Sequence, residues 1–205
     1  QEVVGSLQEL VSSGQLQRTE SFYHLPGRQH VVAMRKQRYL TARNKFKRAS
    51  QTIKLLAHVP GIRGVAVCNK LGYANSDAES DIDLFIIARD NYVWTVRFFS
   101  IALMKLLHRR PRLARFSGGK EIKKNRIDIN FIVTESSKDI AHLQLKGGQT
   151  SAHPHDPYLL YWTVQLMPLY GGNVWQDFSL NNSWTDIHLP NSITANQVVP
   201  RRQVK

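Results

Sequence analysis

The segment Ser80-Asp81-Ile82-Asp83-Leu84 constrains this chain most, because it sets two carboxylates two residues apart where an apolar run begins. Successive side chains of a strand point to opposite faces, so Asp81 and Asp83 project together from one face. Two ionised carboxylates held this close repel each other, and a hard divalent cation such as Mg²⁺ is the natural counter-ion. The alternative is an ordinary strand start, in which one acid caps a turn and the other is solvated.

A second strand-like segment, residues 126–133, supplies a third acid. Its polar and apolar residues alternate at the start, so Asp128 and Asn130 share one face. Upstream, residues 64–68 form a short apolar run, and the turn-rich residues 69–79 follow it. The order strand, turn, Asp-x-Asp strand, helix, strand with Asp predicts that Asp81, Asp83 and Asp128 form a metal site.

With these acids in place, the chain resembles the nucleotidyltransferase superfamily, the fold of polymerase beta, CCA-adding enzymes and minimal nucleotidyltransferases. That family has a Gly-Ser pair after a first strand, then an Asp-h-Asp strand and a third Asp on a later strand, which Asp81, Asp83 and Asp128 match. The chain also looks like uncharacterised bacterial nucleotidyltransferase-domain proteins with an N-terminal winged helix. This wider likeness rests on residues 41–54, 59–67, 94–98, 130–131, 168–170 and 182–191.

The resemblance implies an enzyme that moves a nucleoside monophosphate from a nucleoside triphosphate (NTP) to an RNA, protein or small-molecule acceptor. Asp81, Asp83 and Asp128 would hold two Mg²⁺ ions that clamp the attacking and leaving oxygens at the α-phosphate. Asp128 would also help to deprotonate the acceptor hydroxyl. The residues expected to bind the nucleotide are Asn69, Lys70 and Ser80.

The chain departs from the family at the phosphate-binding pair, where Asn69-Lys70 stands in place of Gly-Ser. Losing the glycine and the serine hydroxyl weakens the usual phosphate cradle. Asn tolerates a left-handed backbone, and Lys meets a phosphate as a point charge. Two functions therefore remain open: the enzyme, or a nucleotidyltransferase-like protein with reduced catalysis that binds RNA, DNA or a ribonucleoprotein.

Excess positive charge is the second strong signal, since 28 Lys and Arg against 15 Asp and Glu give a formal net charge of +13. Such a balance favours polyanions through a salt-sensitive attraction that does not depend on sequence. No apolar amphipathic anchor stands out, so we expect nucleic acid, RNA rather than DNA, and no membrane. A protein or ribonucleoprotein is a further candidate partner.

The positive charges fall into two clusters. The first, residues 35–48, is equally well explained as the solvated face of a helix. The second lies in a Pro- and Gly-containing loop before the Asp128 strand, beside the expected active site. There we expect nucleic-acid contacts from Arg109, Arg110, Arg112, Arg115, Lys120, Lys123 and Lys124.

Cysteine usage and hydropathy indicate the compartment. The one cysteine, Cys68, excludes an internal disulfide, and its position in an apolar strand predicts a buried, inert thiol. No apolar stretch reaches the length of a membrane span and no leader is visible, so we expect a soluble, cytoplasmic protein. The chain begins at Gln1 inside a helical pattern, from which we expect a preceding segment in the whole protein.

The predicted fold class is α/β (α+β): a nucleotidyltransferase-like mixed sheet flanked by helices and preceded by a partial winged helix-turn-helix. We expect Trp175 and Trp184 to cover the core rather than to stack on bases. A C-terminal helix is predicted at residues 157–167, and we expect it to pack in the core through Leu159, Leu160, Trp162, Thr163 and Leu166. The predicted segments are a helix and hairpin (1–29), a connecting helix (30–60), the nucleotidyltransferase-like core (61–135), a C-terminal helical region (136–191) and a flexible basic tail (192–205).

Overall fold

The computed structural model describes residues 2–109, 112–113, 121–122, 124–145 and 156–192. Within these ranges the elements are α1 (Glu2–Ser12), β1 (Gln17–Thr19), β2 (Phe22–His24), α2 (His30–Leu56), β3 (Ile62–Val67), α3 (Asn69–Gly72), β4 (Ile82–Ala88), α4 (Val93–Leu106), β5 (Arg112–Leu113), β6 (Glu121–Ile122), β7 (Ile127–Thr134), α5 (Pro157–Val164), β8 (Met167–Tyr170), α6 (Gly172–Asn181) and α7 (Trp184–His188). Short 3-10 helices lie at Glu135–Ser137 and Ala141–Leu143.

The centre of the fold is a mixed sheet with the strand order β7-β4-β3-β8. β4 runs parallel to β7 and antiparallel to β3, and β8 pairs antiparallel with the other side of β3. The predicted mixed sheet with flanking helices is therefore confirmed.

The two faces of β4 pack into two separate hydrophobic clusters, as its alternation requires. Ile82, Leu84 and Ile86 join the cluster that contains residues of α2 and α4. Phe85 and Ile87 join the other cluster, with residues of α5 and α6. Asp83 has the same parity as Phe85, so its face of the sheet is the one that α5 covers.

The N-terminal elements agree with the sequence pattern. The predicted hairpin is present, with β1 and β2 paired antiparallel and joined at Glu20 and Ser21. α2 is the predicted long helix and ends before Pro60, while α1 buries none of its residues.

Among the helices of the described ranges, none has both the length and the apolar character needed to cross a bilayer.

The predicted C-terminal helix, residues 157–167, is three residues too long. α5 ends at Val164, and the apolar run continues as β8 at the edge of the described sheet, where Pro168 lies opposite Ala66. Proline lacks a backbone N–H and disfavours helix at the residue before it, so the chain leaves the helix and takes a sheet edge. The tail predicted at 192–205 lies outside the described residues, apart from Ser192.

Trp175 and Trp184 both have packing roles, as expected. Trp175 is buried and its ring lies beside those of Phe85 and Phe178. Trp184 is partly buried and packs against the same cluster. These rings therefore stabilise the α6 side of the sheet.

Candidate metal and nucleotide site

The parallel pairing of β4 and β7 brings the three predicted acids together. Asp83 lies directly opposite Asp128 in the register, and Asp81 immediately precedes β4. One carboxylate oxygen from each of the three residues lies within 4.8 Å of the other two. Asp81 and Asp128 are half-buried, so an ion can reach them from solvent. The prediction that Asp81, Asp83 and Asp128 converge is confirmed.

The chemistry of this acidic triad suits a hard divalent cation. Its donors are all carboxylate oxygens, the ligands that Mg²⁺ and Mn²⁺ prefer over nitrogen or sulfur. Two unit negative charges 4.8 Å apart repel each other by about 3 kcal/mol at an effective dielectric constant of about 20. A bound cation removes this repulsion, so the triad can bind a metal ion.

Cys68 lies beside the acidic triad without the properties of a nucleophile or a metal ligand. It is 1% exposed, and its backbone N–H donates to the carbonyl of Asp83. Burial raises the pKa of the Cys68 thiol far above its ordinary value, and the negative charges of Asp83 and Asp128 act in the same direction. The thiol therefore stays protonated and inert, as the sequence predicted.

A buried lysine from α2 anchors the loop that leads to Asp81. Lys45 is 2% exposed, and its Nζ donates to the carbonyl oxygen of Ser80 and, at 2.8 Å, to Ser80 Oγ. Burial lowers the pKa of Lys45, while the charges of Asp77 and Asp81 act in the opposite direction. Lys45 thus places a positive charge close to the triad and fixes the position of Ser80 through two hydrogen bonds.

Sequence reasoning assigned Lys45 to a basic helix face and missed this role. The signal was its position, three residues after Ala42 and four before Ala49, both fully buried. Side chains at these spacings share one face of a helix. A lysine on this buried face of the helix is either buried with hydrogen-bond partners or interrupts the apolar packing.

Asp77 holds the same loop from the other side. Its Oδ1 accepts hydrogen bonds from the backbone N–H groups of Ser80 at 2.7 Å and Glu79 at 3.1 Å. Its Oδ2 accepts from Lys70 Nζ at 2.9 Å, and this bond lowers the pKa of Asp77. Lys45 and Asp77 together position the chain that enters β4 at Asp81.

We expect Asp77→Ala to destabilise the fold by about 1 kcal/mol at pH 7, the usual cost of losing a side-chain cap on backbone N–H groups. Because the folded-state pKa of Asp77 lies below its unfolded value, this contribution is present above the unfolded pKa and is lost as pH falls through the folded one. Urea unfolding from pH 7 to pH 3 therefore measures a gap between wild type and variant that closes below about pH 4. Asp77→Asn, which keeps the acceptor oxygen, is the matched control with a smaller loss. A gap independent of pH contradicts the assignment.

The three residues predicted to bind nucleotide lie together but already have protein partners. Asn69 adopts the left-handed backbone anticipated for it, with φ of 53°, and its Oδ1 accepts from Trp162 Nε1 at 2.8 Å. Lys70 pairs with Asp77, and Ser80 is bound by Lys45. All three line one cavity, and their role towards a nucleotide stays a prediction.

This cavity is open to solvent and measures about 920 Å³. Asp81 and Asp83 form part of its wall, and another part comes from α5. α5 begins there because Asp156 caps it, accepting from the N–H groups of Tyr158 and Leu159, with Pro157 in the first turn. The lining residues contributed by α5 are Pro157, Tyr158, Tyr161 and Trp162.

The sequence predicts that α5 packs in the core but does not predict its contribution to the cavity. Leu159 and Leu160 are buried as expected, whereas Tyr158 and Tyr161 are exposed. Their spacing of three residues, which places them near each other on a helix, was the available signal. Nothing local indicates that this side of α5 would face the acidic triad.

The basic loop was predicted to lie beside the site, and two of its predicted side chains are described. Lys124 Nζ pairs with Glu79 of the cavity rim at 2.8 Å, whereas Arg109 is half-buried and donates to Thr52 Oγ1 of α2. Only the backbone of Arg112 is described, in β5. Arg110, Arg115, Lys120 and Lys123 lie outside the described residues.

Backbone hydrogen bonds hold the end of this loop against the acidic strand. The N–H of Asn125 donates to Ser80, and the N–H of Ile82 donates to Arg126. The loop's last residues therefore run alongside the chain that carries Asp81.

Neither a protein-family model, nor a curated protein, nor a solved structure matches this chain.

Proposed function

We propose that this protein is a metal-dependent nucleotidyltransferase with the nucleotidyltransferase-like fold. The observation that carries the proposal is the convergence of Asp81, Asp83 and Asp128 to within 4.8 Å on paired parallel strands. These residues would hold two Mg²⁺ ions, which would supply charge stabilisation for an in-line displacement in which the acceptor oxygen attacks the α-phosphate of an NTP and pyrophosphate leaves. The acceptor is an RNA, a protein or a small molecule.

The chain's own residues would orient the NTP and receive the proton. Lys70 keeps an exposed ammonium group that can leave Asp77 for a phosphate oxygen. Because Asn69 Oδ1 accepts a hydrogen bond from Trp162, the amide nitrogen of Asn69 is the atom that can donate to a phosphate oxygen. Asp128 accepts the proton of the acceptor hydroxyl. The rest of the task is positioning and electrostatic stabilisation.

The dimensions and walls of the cavity support a nucleotide-sized ligand. A volume of about 920 Å³ lies in the range of about 300–1,000 Å³ that small-molecule sites occupy. Lys70 lies on the wall beside Asn69, and aromatic rings from α5 lie on another part of the lining. The wide opening leaves room for an acceptor to approach the triad.

A second candidate function is binding of RNA, DNA or a ribonucleoprotein with little catalysis. The net charge of +13 and the engagement of Asn69, Lys70 and Ser80 with protein partners favour it. Its signature is affinity for nucleic acid that falls steeply with salt, because neutralising phosphates releases counterions. In that case α1 and the β1–β2 hairpin, the proposed partial winged helix, are further candidates for the contact surface.

Titration calorimetry with a non-hydrolysable NTP, with and without Mg²⁺, tests the enzyme. We expect binding with a Kd of about 1–100 μM that requires Mg²⁺, corresponding to about 5–8 kcal/mol of binding free energy. Asp83→Asn is expected to remove the Mg²⁺-dependent part, and Glu9→Gln on α1 to leave it unchanged. Binding of equal strength without Mg²⁺, or no binding at all, contradicts the proposal and directs attention to the basic surfaces.

A further inference from the structure

Helix α4 is apolar on both of its faces. Its inner face packs on the sheet through buried Val96 and Met104. On the outer face Trp94 is 80% exposed, Phe98 66% and Leu106 75%. A helix that is apolar all round is normally covered on all sides, so this outer face calls for an occupant.

The charge of the outer face narrows the kind of occupant. α4 carries no acidic residue, and Arg97 and Lys105 are its only charged side chains. Its two positive charges can neutralise only about two phosphates, fewer than the roughly 6–10 contacts of a typical polyanion-binding surface. A helix that lies on a membrane has a strongly charged face opposite its apolar one, whereas the opposite face of α4 is buried on the sheet. An apolar protein surface is therefore the fitting occupant.

The spacing of the outer residues is self-complementary. Trp94, Phe98, Ala102 and Leu106 follow one another at intervals of four, which places them in one row along the helix. The row is symmetric about position 100. If a second copy of α4 lies antiparallel on the first, Phe98 meets Ala102 of the second copy and Trp94 meets Leu106 of the second copy.

At its centre this arrangement pairs the large Phe98 with the small Ala102 twice, which allows the two helices to pack closely. It also places Lys105 of the second copy near the Trp94 ring, where a cation–π contact is favourable. Because an aromatic side chain has a surface of about 150–250 Å², the exposed row offers on the order of 500 Å² of accessible surface per copy. Two copies then bury roughly 1,000 Å², the lower limit for a specific interface.

We propose that the outer face of α4 is an isologous dimer interface, in which α4 of a second copy packs antiparallel with Phe98 against Ala102. The pairing is symmetric because each copy offers the same row, as a two-fold interface requires. The proposal is independent of the function assigned to the acidic triad.

Sedimentation equilibrium of the full chain over a concentration series tests the dimer, in high salt to screen the net charge of +13. We expect a concentration-dependent dimer. Phe98→Ala removes the large partner and Ala102→Phe sets two large rings against each other, so each weakens the dimer at least about tenfold. The double variant, which swaps large and small, restores the dissociation constant to within about threefold of wild type.

Tyr39→Ala on α2, an equally aromatic and exposed position, is the control and leaves the dimer unchanged. Circular dichroism of each variant shows whether the fold is retained, which we expect at outward-facing positions. A monomer at all concentrations overturns the proposal. So does a dimer insensitive to the single variants, a double variant as weak as the singles, or a monomer that binds phosphatidylserine vesicles through Phe98.

Discussion

Asp128→Asn is expected to weaken metal binding about 100-fold and, at the same time, to stabilise the metal-free protein. Three carboxylates whose oxygens lie within 4.8 Å repel one another, and the substitution removes one negative charge while keeping the shape of the side chain. After allowance for partial exposure, we expect the free energy of unfolding without metal to rise by about 1–2 kcal/mol. With one of its three ligands lost, the site is expected to bind Mn²⁺ about 100-fold more weakly.

Thermal unfolding with and without Mn²⁺ or Mg²⁺ measures both effects in one experiment. Metal raises the Tm of wild type, because it binds the folded state only, and leaves that of Asp128→Asn unchanged. Asp83→Asn is expected to lose the same metal-dependent rise. Glu9→Gln removes one negative charge from α1 instead and is expected to retain it. Equal metal-dependent shifts in wild type and Asp128→Asn rule out the triad as the metal site.

Phe85→Ala is expected to be the most destabilising single change considered for this protein. Phe85 is fully buried on β4, with ring centroids of Trp162 and Phe178 at 5.6 Å and Trp175 at 5.9 Å. Removing the ring leaves a cavity among large aromatics that cannot collapse easily, at a cost of about 3–5 kcal/mol. For a chain of this size the Tm falls by roughly 10 °C.

The substitution also affects the candidate site, because Trp162 contacts Phe85 and donates its N–H to Asn69. We therefore expect Phe85→Ala to weaken NTP binding as well as folding. Chemical denaturation measures the first effect, with Tyr39→Ala as an exposed aromatic control that changes stability by less than about 0.5 kcal/mol. A loss below about 1 kcal/mol for Phe85→Ala contradicts the assigned role of its ring in the core.

Much of the candidate site was legible in the sequence because it depends on local periodicity. The alternation of an extended chain places Asp81 and Asp83 on one face whatever the rest of the chain does. Asp128 likewise stands at a polar position where the alternating segment of β7 begins. The left-handed backbone at Asn69 follows from its short polar side chain, which tolerates that conformation. The burial of Cys68 follows from the apolar run, residues 64–68, that it ends.

Other features could not be read locally because they join distant segments. β8 was not predicted, and the predicted helix ended on its first residue, Met167. An apolar run of this length fits either element, and only pairing with β3 shows that it is a strand. The surroundings of the triad were likewise hidden. Lys45 reaches Ser80 across 35 residues, and Trp162 reaches Asn69 across 93.

The sequence by itself determined which side chains share a face, because the two-residue period of a strand and the 3.6-residue period of a helix are properties of the local backbone. It therefore specified the acids, the hairpin and the long helix. Only the tertiary structure decided which faces meet. The parallel register of β4 with β7 set Asp83 opposite Asp128, and the packing of α5 placed its aromatic rings in the cavity wall. Those pairings depend on the burial of apolar surface over the whole chain, which no short segment encodes.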